Sequence, residues 1–151
     1  MGGIDQLRVR TATYPDRLEE VIAAGLRTGQ ELPGGSDLLT MGPLKIISDG
    51  SLNTRTAYCC EPYADAQSLE FPRGKQNHSL QELVTLLRRA RECGLEVALH
   101  AIGDAAAAAA LDAFAATGVD RARPAHALGG YNPDGWARRV RQSGLPKIMT
   151  T

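Results

Sequence analysis

Residues 95–104 read LEVALHAIGD, the pattern of a buried strand that ends at His100, turns at Gly103 and begins a helix at Asp104. The apolar run at 97–99 is typical of a parallel strand covered on both faces. A histidine at the carboxyl end of such a strand occupies the position where parallel barrels carry their chemistry. This stretch predicts a parallel α/β fold with a functional edge.

Strand and helix signals alternate along the rest of the chain. Further strands are predicted at 7–10, at 44–47, just before His126 and at 145–149. Helices are predicted to begin at Asp16, Ser79, Asp104 and Pro133, and Ser79-Leu80-Gln81-Glu82 forms a capping box. Strand, helix and strand in succession indicate right-handed βαβ units and a parallel sheet.

The chain length limits how much of a barrel can form. A complete eight-unit barrel needs about 250 residues, and this chain has 151. We therefore expect a partial (β/α)8 TIM barrel of about four consecutive βα units, folded as a single domain over residues 1–151.

Composition excludes several classes of partner. The chain has 17 basic and 17 acidic residues, so no charge imbalance favours nucleic acid or a membrane surface. No apolar run is long enough to span a bilayer, and no secretory signal is visible at the start. Three cysteines without a C-x-x-C pair suggest reduced thiols. We expect a cytoplasmic protein that acts on a small molecule.

Lys45, His100 and His126 are each predicted to lie where a strand ends, so their side chains should meet at one edge of the sheet. Imidazole is a common ligand of zinc and similar ions. A lysine repels a metal unless carbon dioxide converts its amine to a carbamate. Each residue also has a simpler interpretation: Lys45 as an ordinary cation, His100 as a core histidine and His126 as a loop residue. The long polar segment 48–78 should cover the same edge.

Three motifs together resemble amidohydrolase family 3 of the metal-dependent amidohydrolase superfamily. Residues 45–57 read KIISDGSLNTRTA and resemble the family's K-x-x-x-D-G-S-x-x-x-R-T-A segment. Residues 100–104 match its H-A-I-G-D motif, and 123–127, RPAHA, resemble its R-I-E-H-A motif. Their order and spacing also agree, and the resemblance covers most of the chain.

The resemblance implies a TIM barrel joined to a small β-sandwich, with hydrolysis of amide, formamide or related C–N bonds by a metal-activated water. Carried over by position, Lys45 would be a metal ligand, carboxylated in its active form, and His100 and His126 would be the next two ligands of a divalent metal such as zinc. Asp49 and Arg55 would shape the loop or bind substrate, and a guanidinium can clamp a carboxylate or carbonyl oxygen. Asp104 is expected to cap a helix.

Departures from the family pattern are equally informative. The early His-x-His pair and the late aspartate have no counterpart here, and Pro124-Ala125 replaces the usual Ile-Glu before His126. No residue is therefore assigned to catalytic proton transfer. The sequence looks like the central fragment of a larger enzyme, and we expect it to be inactive alone.

Two alternatives remain at this stage. One is a non-catalytic half-barrel that associates with itself as a homo-oligomer, or with a partner chain that supplies the missing barrel half. The other is an unrelated doubly wound ligand-binding domain, which the absence of G-x-G-x-x-G and Walker A stretches disfavours. Tight metal binding would separate the hydrolase from that last alternative.

Overall fold

The fold is a parallel sheet whose strands follow one another in chain order. The structure is a computed structural model that describes residues 7–34, 37–118 and 126–129, the last as backbone. Its strands are β1 (Val9–Thr13), β2 (Leu39–Ile47), β3 (Val97–Ala101) and β4 (His126–Gly129), in the order β1-β2-β3-β4. All three pairings between these strands are parallel, and Thr40 of β2 also forms an isolated antiparallel bridge with Glu31. This confirms the α/β architecture, in an arrangement that fits part of a TIM barrel.

Helices connect the strands, as parallel pairing requires. A 3-10 turn (Pro15–Arg17) leads into α1 (Leu18–Ala23), α2 (Leu80–Glu92) joins β2 to β3, and α3 (Asp104–Thr117) follows β3. None of the helices in the described ranges is long and apolar enough to cross a membrane.

Burial alternates along the two central strands. Leu44 and Ile46 of β2 and Leu99 of β3 are fully buried in the hydrophobic core that α2 and α3 cover. Between them, Lys45 and His100 are only half-buried. Because successive strand residues point to opposite faces, Lys45 and His100 lie on the face away from this core.

The start of β2 contains a bulge that the sequence did not predict. The register with β1 shifts between Thr11 and Thr13, where Gly42 and Pro43 lie opposite. A Cβ at position 42 would lie 1.8 Å from the carbonyl oxygen of Thr11, so only glycine fits there. Proline cannot donate to a sheet ladder and is tolerated at such bulges. The strand therefore runs through Gly42-Pro43 from Leu39 instead of beginning after them.

Helix starts agree with the sequence at one site and differ at two. Ser79 caps α2 with the complete capping box, as predicted. The N-cap of α1 is Arg17, not Asp16, because residues 15–17 form the 3-10 turn. The N-cap of α3 is Gly103, and Asp104 is instead the first helical residue.

Several predicted elements fall outside the described residues. These are the strand expected just before His126, the helix from Pro133 and the strand at 145–149. The prediction that His126 ends a strand is wrong for the described residues, because His126 is the first residue of β4 (His126–Gly129).

Candidate metal and substrate site

The register brings the three predicted metal ligands to neighbouring positions. Lys45 of β2 pairs with Ala98 of β3, and Ala98 pairs with His126 of β4. These three positions form one row across the sheet. His100 lies two residues further along β3, opposite Ile47. Lys45 and His100 therefore share a sheet face one step apart; the side chain of His126 lies outside the described part of the chain.

Lys45 is a cation without a partner among the described residues. It forms no hydrogen bond or ion pair with any of them, and it lies half-buried on β2 between the fully buried Leu44 and Ile46. Partial burial lowers the pKa of its amine from the ordinary value of 10.5. A lowered amine pKa increases the fraction of neutral, nucleophilic amine at a given pH.

The ring of His100 has a defined tautomer. Its Nε2 lies 3.0 Å from the carbonyl oxygen of Gly50. A carbonyl oxygen only accepts, so Nε2 carries the hydrogen and donates it. The other ring nitrogen, Nδ1, then keeps its lone pair, and it has no hydrogen-bond partner within the described ranges. The sequence-predicted ligand thus presents one nitrogen that can bind a metal.

Asp49 is fully buried beside this histidine. Its Oδ1 accepts the backbone N–H of Ile102 at 2.9 Å, and its Oδ2 accepts those of Tyr58 at 2.9 Å and Gly103 at 2.8 Å. Oδ1 also lies 3.7 Å from Nε2 of His100. These contacts support the loop-shaping role of Asp49; a direct contact with substrate stays a prediction.

The segment between β2 and α2 lies at the carboxyl ends of β2 and β3, as expected from the sequence. Asn77 donates its backbone N–H to Ser48 at 2.8 Å, which returns the end of the segment to the end of β2. The carbonyl oxygen of Tyr58 accepts from Ala106 in the first turn of α3 at 3.2 Å. Cys60 donates its backbone N–H to Asp104 at 2.8 Å. The loop is thus attached to both neighbouring units.

Arg55 sits in this loop in a conformation that is uncommon for a non-glycine residue, with φ at 58°. Its Nε lies 3.1 Å from Oδ1 of Asp65, and its guanidinium stacks 6.0 Å from the ring centre of Tyr63. The side chains of Arg55 and Asp65 are 45% and 46% exposed. Arg55 is therefore held in place while remaining accessible to a ligand.

Tyr63 is a site neighbour to which the sequence assigned no role. Its hydroxyl donates to the carbonyl oxygen of Ala57 at 2.8 Å and lies 3.7 Å from Sγ of Cys59. Burial, with the Cys59 contact second, raises the pKa of Tyr63 to about 12. Tyr63 thus stays protonated at neutral pH and supports Arg55. Its place after Pro62, shortly beyond the family-like segment 45–57, was the available signal.

The donor set fits a divalent metal in part. Among the described side chains, no group of three or more His, Cys, Asp or Glu residues could hold a metal ion. What the structure does offer is a half-buried lysine amine without a partner and an imidazole nitrogen with a free lone pair, on one face of adjacent strands. These are two of the three ligands that the sequence predicts.

A parallel α/β sheet with residues such as Lys45 and His100 near the carboxyl ends of adjacent strands is typical of metal-dependent enzymes built on barrels. The sequence profile of the amidohydrolase family Amidohydro_3 matches residues 4–141. The chain belongs to this family.

Comparisons with individual proteins support the same family. The chain is 49% identical over 73 residues to the putative amidohydrolase YtcJ of Bacillus subtilis (strain 168). It is also similar to the crystal structures of two uncharacterized metal-dependent hydrolases. The one from Pyrococcus horikoshii OT3 is 33% identical, with a TM-score of 0.72 over 91% of this chain. The one from Pyrococcus furiosus is 28% identical, with a TM-score of 0.70 over the same share.

The chain spans only part of these relatives. The matched stretch covers 48% of this chain but 13% of the Bacillus protein. Each Pyrococcus match covers 26% of the solved chain.

Proposed function

We propose that this chain supplies the central strands of a hydrolase site that cleaves amide, formamide or related C–N bonds in a small molecule. It would do so as one domain, part of a TIM barrel, with Lys45, His100 and His126 holding a divalent metal such as zinc. The observation that carries the proposal is the partnerless, half-buried Lys45 beside a histidine whose Nδ1 is free.

Bound at these residues, the metal would supply a more acidic water and polarise the substrate carbonyl. Lys45 would serve as a ligand after its neutral amine adds to carbon dioxide and loses a proton, which gives a carbamate with two donor oxygens. His100 would offer Nδ1, because Gly50 engages Nε2. His126 would complete the set from the row that it shares with Lys45.

Arg55 is the residue that we propose for substrate binding. Its uncommon backbone conformation supports this role, because residues held in sparsely populated conformations cluster at functional sites. Its ion pair with Asp65 is exposed, so a substrate carboxylate or carbonyl oxygen could compete with it. We propose that Asp49 serves the same site through the loop.

The metal assignment is tested by zinc titration of the full chain in bicarbonate buffer. The purified wild-type chain should bind zinc weakly, and with zinc present ¹³C-bicarbonate should give a carbamate signal in the carbon NMR spectrum. Lys45→Arg keeps the cation but cannot form a carbamate, so the signal should disappear. Lys75→Arg is the matched control, since Lys75 lies on the exposed loop beside Phe71. Equal zinc affinity in wild type, Lys45→Arg and His100→Ala would refute the proposed site.

Association with another chain is a second proposal. β1 is paired only with β2 in the described sheet, and Val9 on it is exposed along with the preceding Leu7. An open strand edge with apolar side chains favours further pairing. The partner would be a second copy of this chain or a chain that supplies the missing barrel half. A single monomeric species in analytical ultracentrifugation at all concentrations would exclude the homo-oligomer.

The cysteines support a reducing, cytoplasmic location. Cys59, Cys60 and Cys93 are all free thiols. Burial, with Asp104 nearby, raises the pKa of the Cys60 thiol, which favours its protonated form. Titration of three thiols on protein purified without reductant would agree with this location.

A further inference from the structure

Asp49 is the one fully buried charged side chain among the described residues, with 0% of its surface exposed. Removing a carboxylate from water is costly unless hydrogen bonds replace those of water. Asp49 has three such bonds, all from backbone N–H groups and all 2.8–2.9 Å long. Two of the donors lie in the turn after β3, and the third lies in the loop.

The geometry assigns Asp49 the role of positioning residue for the His100 ring, exerted through the backbone carbonyl of Gly50 and through its own Oδ1, which lies 3.7 Å from Nε2. This inference rests on the proposed function, since it deepens the account of one of its ligands. Asp49 itself touches neither substrate nor metal in this role. It would fix which nitrogen of His100 carries the hydrogen and where the ring points.

The connection from Asp49 to the ring is short. Gly50 directly follows Asp49, and its carbonyl oxygen accepts from Nε2 of His100. The other side of Gly50 is held as well, because its N–H donates to Thr56 at 3.1 Å. A Cβ at position 50 would lie 1.9 Å from Oγ1 of Thr56, so only glycine fits there. The N–H of Ser51, in the same peptide as this carbonyl, donates to Oγ1 of Thr56 at 3.0 Å. Asp49, directly before Gly50, connects this segment to the turn that follows His100 by accepting from Ile102 and Gly103.

A carboxylate is required because of how its two oxygens are used. Oδ1 accepts one N–H and Oδ2 accepts two. An amide of the same shape has a single acceptor oxygen, and its NH2 group would face a donor. Asp49→Asn therefore leaves at least one buried N–H unsatisfied and weakens the attachment of the residues at Gly50 to the turn after His100.

The direct test is the tautomer of His100, measured by nitrogen NMR on chain labelled with ¹⁵N-histidine at a pH where the ring is neutral. Spectra of His100→Gln identify the His100 signals. In wild type, Nε2 should carry the hydrogen. In Asp49→Asn, the His100 signals should report a mixture of both tautomers while the His78 signals stay unchanged. A general loosening of the fold would change the signals of both histidines and not those of His100 alone.

Asp65→Asn is the matched control. It makes the same chemical change in the same loop, but Asp65 is exposed and pairs with Arg55. It should leave the His100 tautomer as in wild type. An Nδ1-protonated His100 in wild type would overturn the inference without any variant, so the test survives even if Asp49→Asn does not fold. Identical His100 signals in folded Asp49→Asn and wild type would overturn it too.

Zinc titration separates this inference from the proposed function. Residues that orient a metal ligand typically change metal affinity ~10–100-fold when mutated, so Asp49→Asn should weaken zinc binding by that factor and Asp65→Asn should not. If His100→Ala leaves zinc affinity unchanged, the proposed metal site fails, while the tautomer spectra still decide whether Asp49 positions the ring. If zinc binding needs His100 and Asp49→Asn binds as wild type, the positioning role fails alone.

Discussion

Gly103 packs directly against the backbone of Tyr58. A Cβ at position 103 would lie 1.9 Å from the carbonyl oxygen of Tyr58 and 2.6 Å from its nitrogen. The backbone at Gly103 has φ at −67° and ψ at 151°, a conformation that any residue adopts. Glycine is therefore required here for space and not for conformation, because the loop crosses over the turn between β3 and α3.

Gly103→Ala should destabilise the chain by ~1–3 kcal/mol or more, since the added methyl group forces the loop away from the turn. Urea unfolding measures the change. Gly34→Ala is the control, because position 34 has open space around it and only a positive φ of 77°. That variant should cost ~1 kcal/mol for the left-handed conformation alone. Equal losses in both variants would mean that the close contact contributes nothing.

The core packing beneath the candidate site predicts a larger loss of folding stability than the loop contact at Gly103. Leu99 is 0% exposed and immediately precedes His100. Leu99→Ala should lower the free energy of unfolding by ~2–5 kcal/mol, as buried leucine truncations do. Leu80→Ala makes the same change at a side chain that is 43% exposed, and its effect should stay below ~1 kcal/mol. Similar values for the two variants would contradict the placement of β3 in the core.

Local patterns were sufficient to predict part of this fold. The apolar run before His100 and the capping box at Ser79 depend on neighbouring residues, and both elements are present. The start of β2 was missed because proline normally ends a strand, and the tolerance for Pro43 comes from a bulge against β1, a distant segment.

The same distinction applies to the site. Lys45 and His100 could be selected because strand-end residues of a parallel sheet meet at one edge. The role of Asp49 could not be derived in this way. Two of its three donors, Ile102 and Gly103, lie more than 50 positions away in the sequence, and no local spacing indicates such a contact.

The capping box of α2 makes a contribution to the stability of the fold that depends on pH. The N–H and the hydroxyl of Ser79 both donate to Glu82 at 2.7 Å, and they lower the pKa of Glu82 below its ordinary value of 4.5. Because the folded pKa is below the unfolded one, this contribution is present above about pH 4.5 and is lost as the pH falls through the folded pKa.

Ser79→Ala should cost ~1 kcal/mol at neutral pH, and its stability should then depend less on pH in the acid range than that of wild type. Urea unfolding at neutral pH and at several acid values measures both effects. Glu82→Gln retains a capping side chain without a titrating group, so it should lose the pH dependence with a smaller loss at neutral pH. A stability that falls more steeply with acid in Ser79→Ala than in wild type would contradict this prediction.

The positive φ at Arg55 predicts that its glycine variant is at least as stable as its alanine variant. Both Arg55→Ala and Arg55→Gly remove the exposed ion pair with Asp65, which contributes ~0.2–1 kcal/mol. The φ of 58° costs an L-residue ~1–2 kcal/mol that glycine avoids, and glycine loses ~0.5–1 kcal/mol more to chain entropy. Arg55→Gly should thus be as stable as Arg55→Ala, or more stable by up to ~1.5 kcal/mol. A clearly less stable Arg55→Gly in thermal unfolding would show that the strain is absent.

Turnover by the chain alone should be very low. Its 151 residues contain three histidines, none spaced as His-x-His, and no residue is assigned to proton transfer. Losing a catalytic proton shuttle typically costs ~10²–10⁴ in rate, and a site with few ligands should bind metal weakly. The measurement is metal analysis together with an amide and formamide hydrolysis assay on protein freed of host enzymes, with His100→Ala as the background control. Stoichiometric metal and turnover near ~1–10³ s⁻¹, the ordinary enzyme range, would show that these βα units are sufficient for catalysis without further ligands.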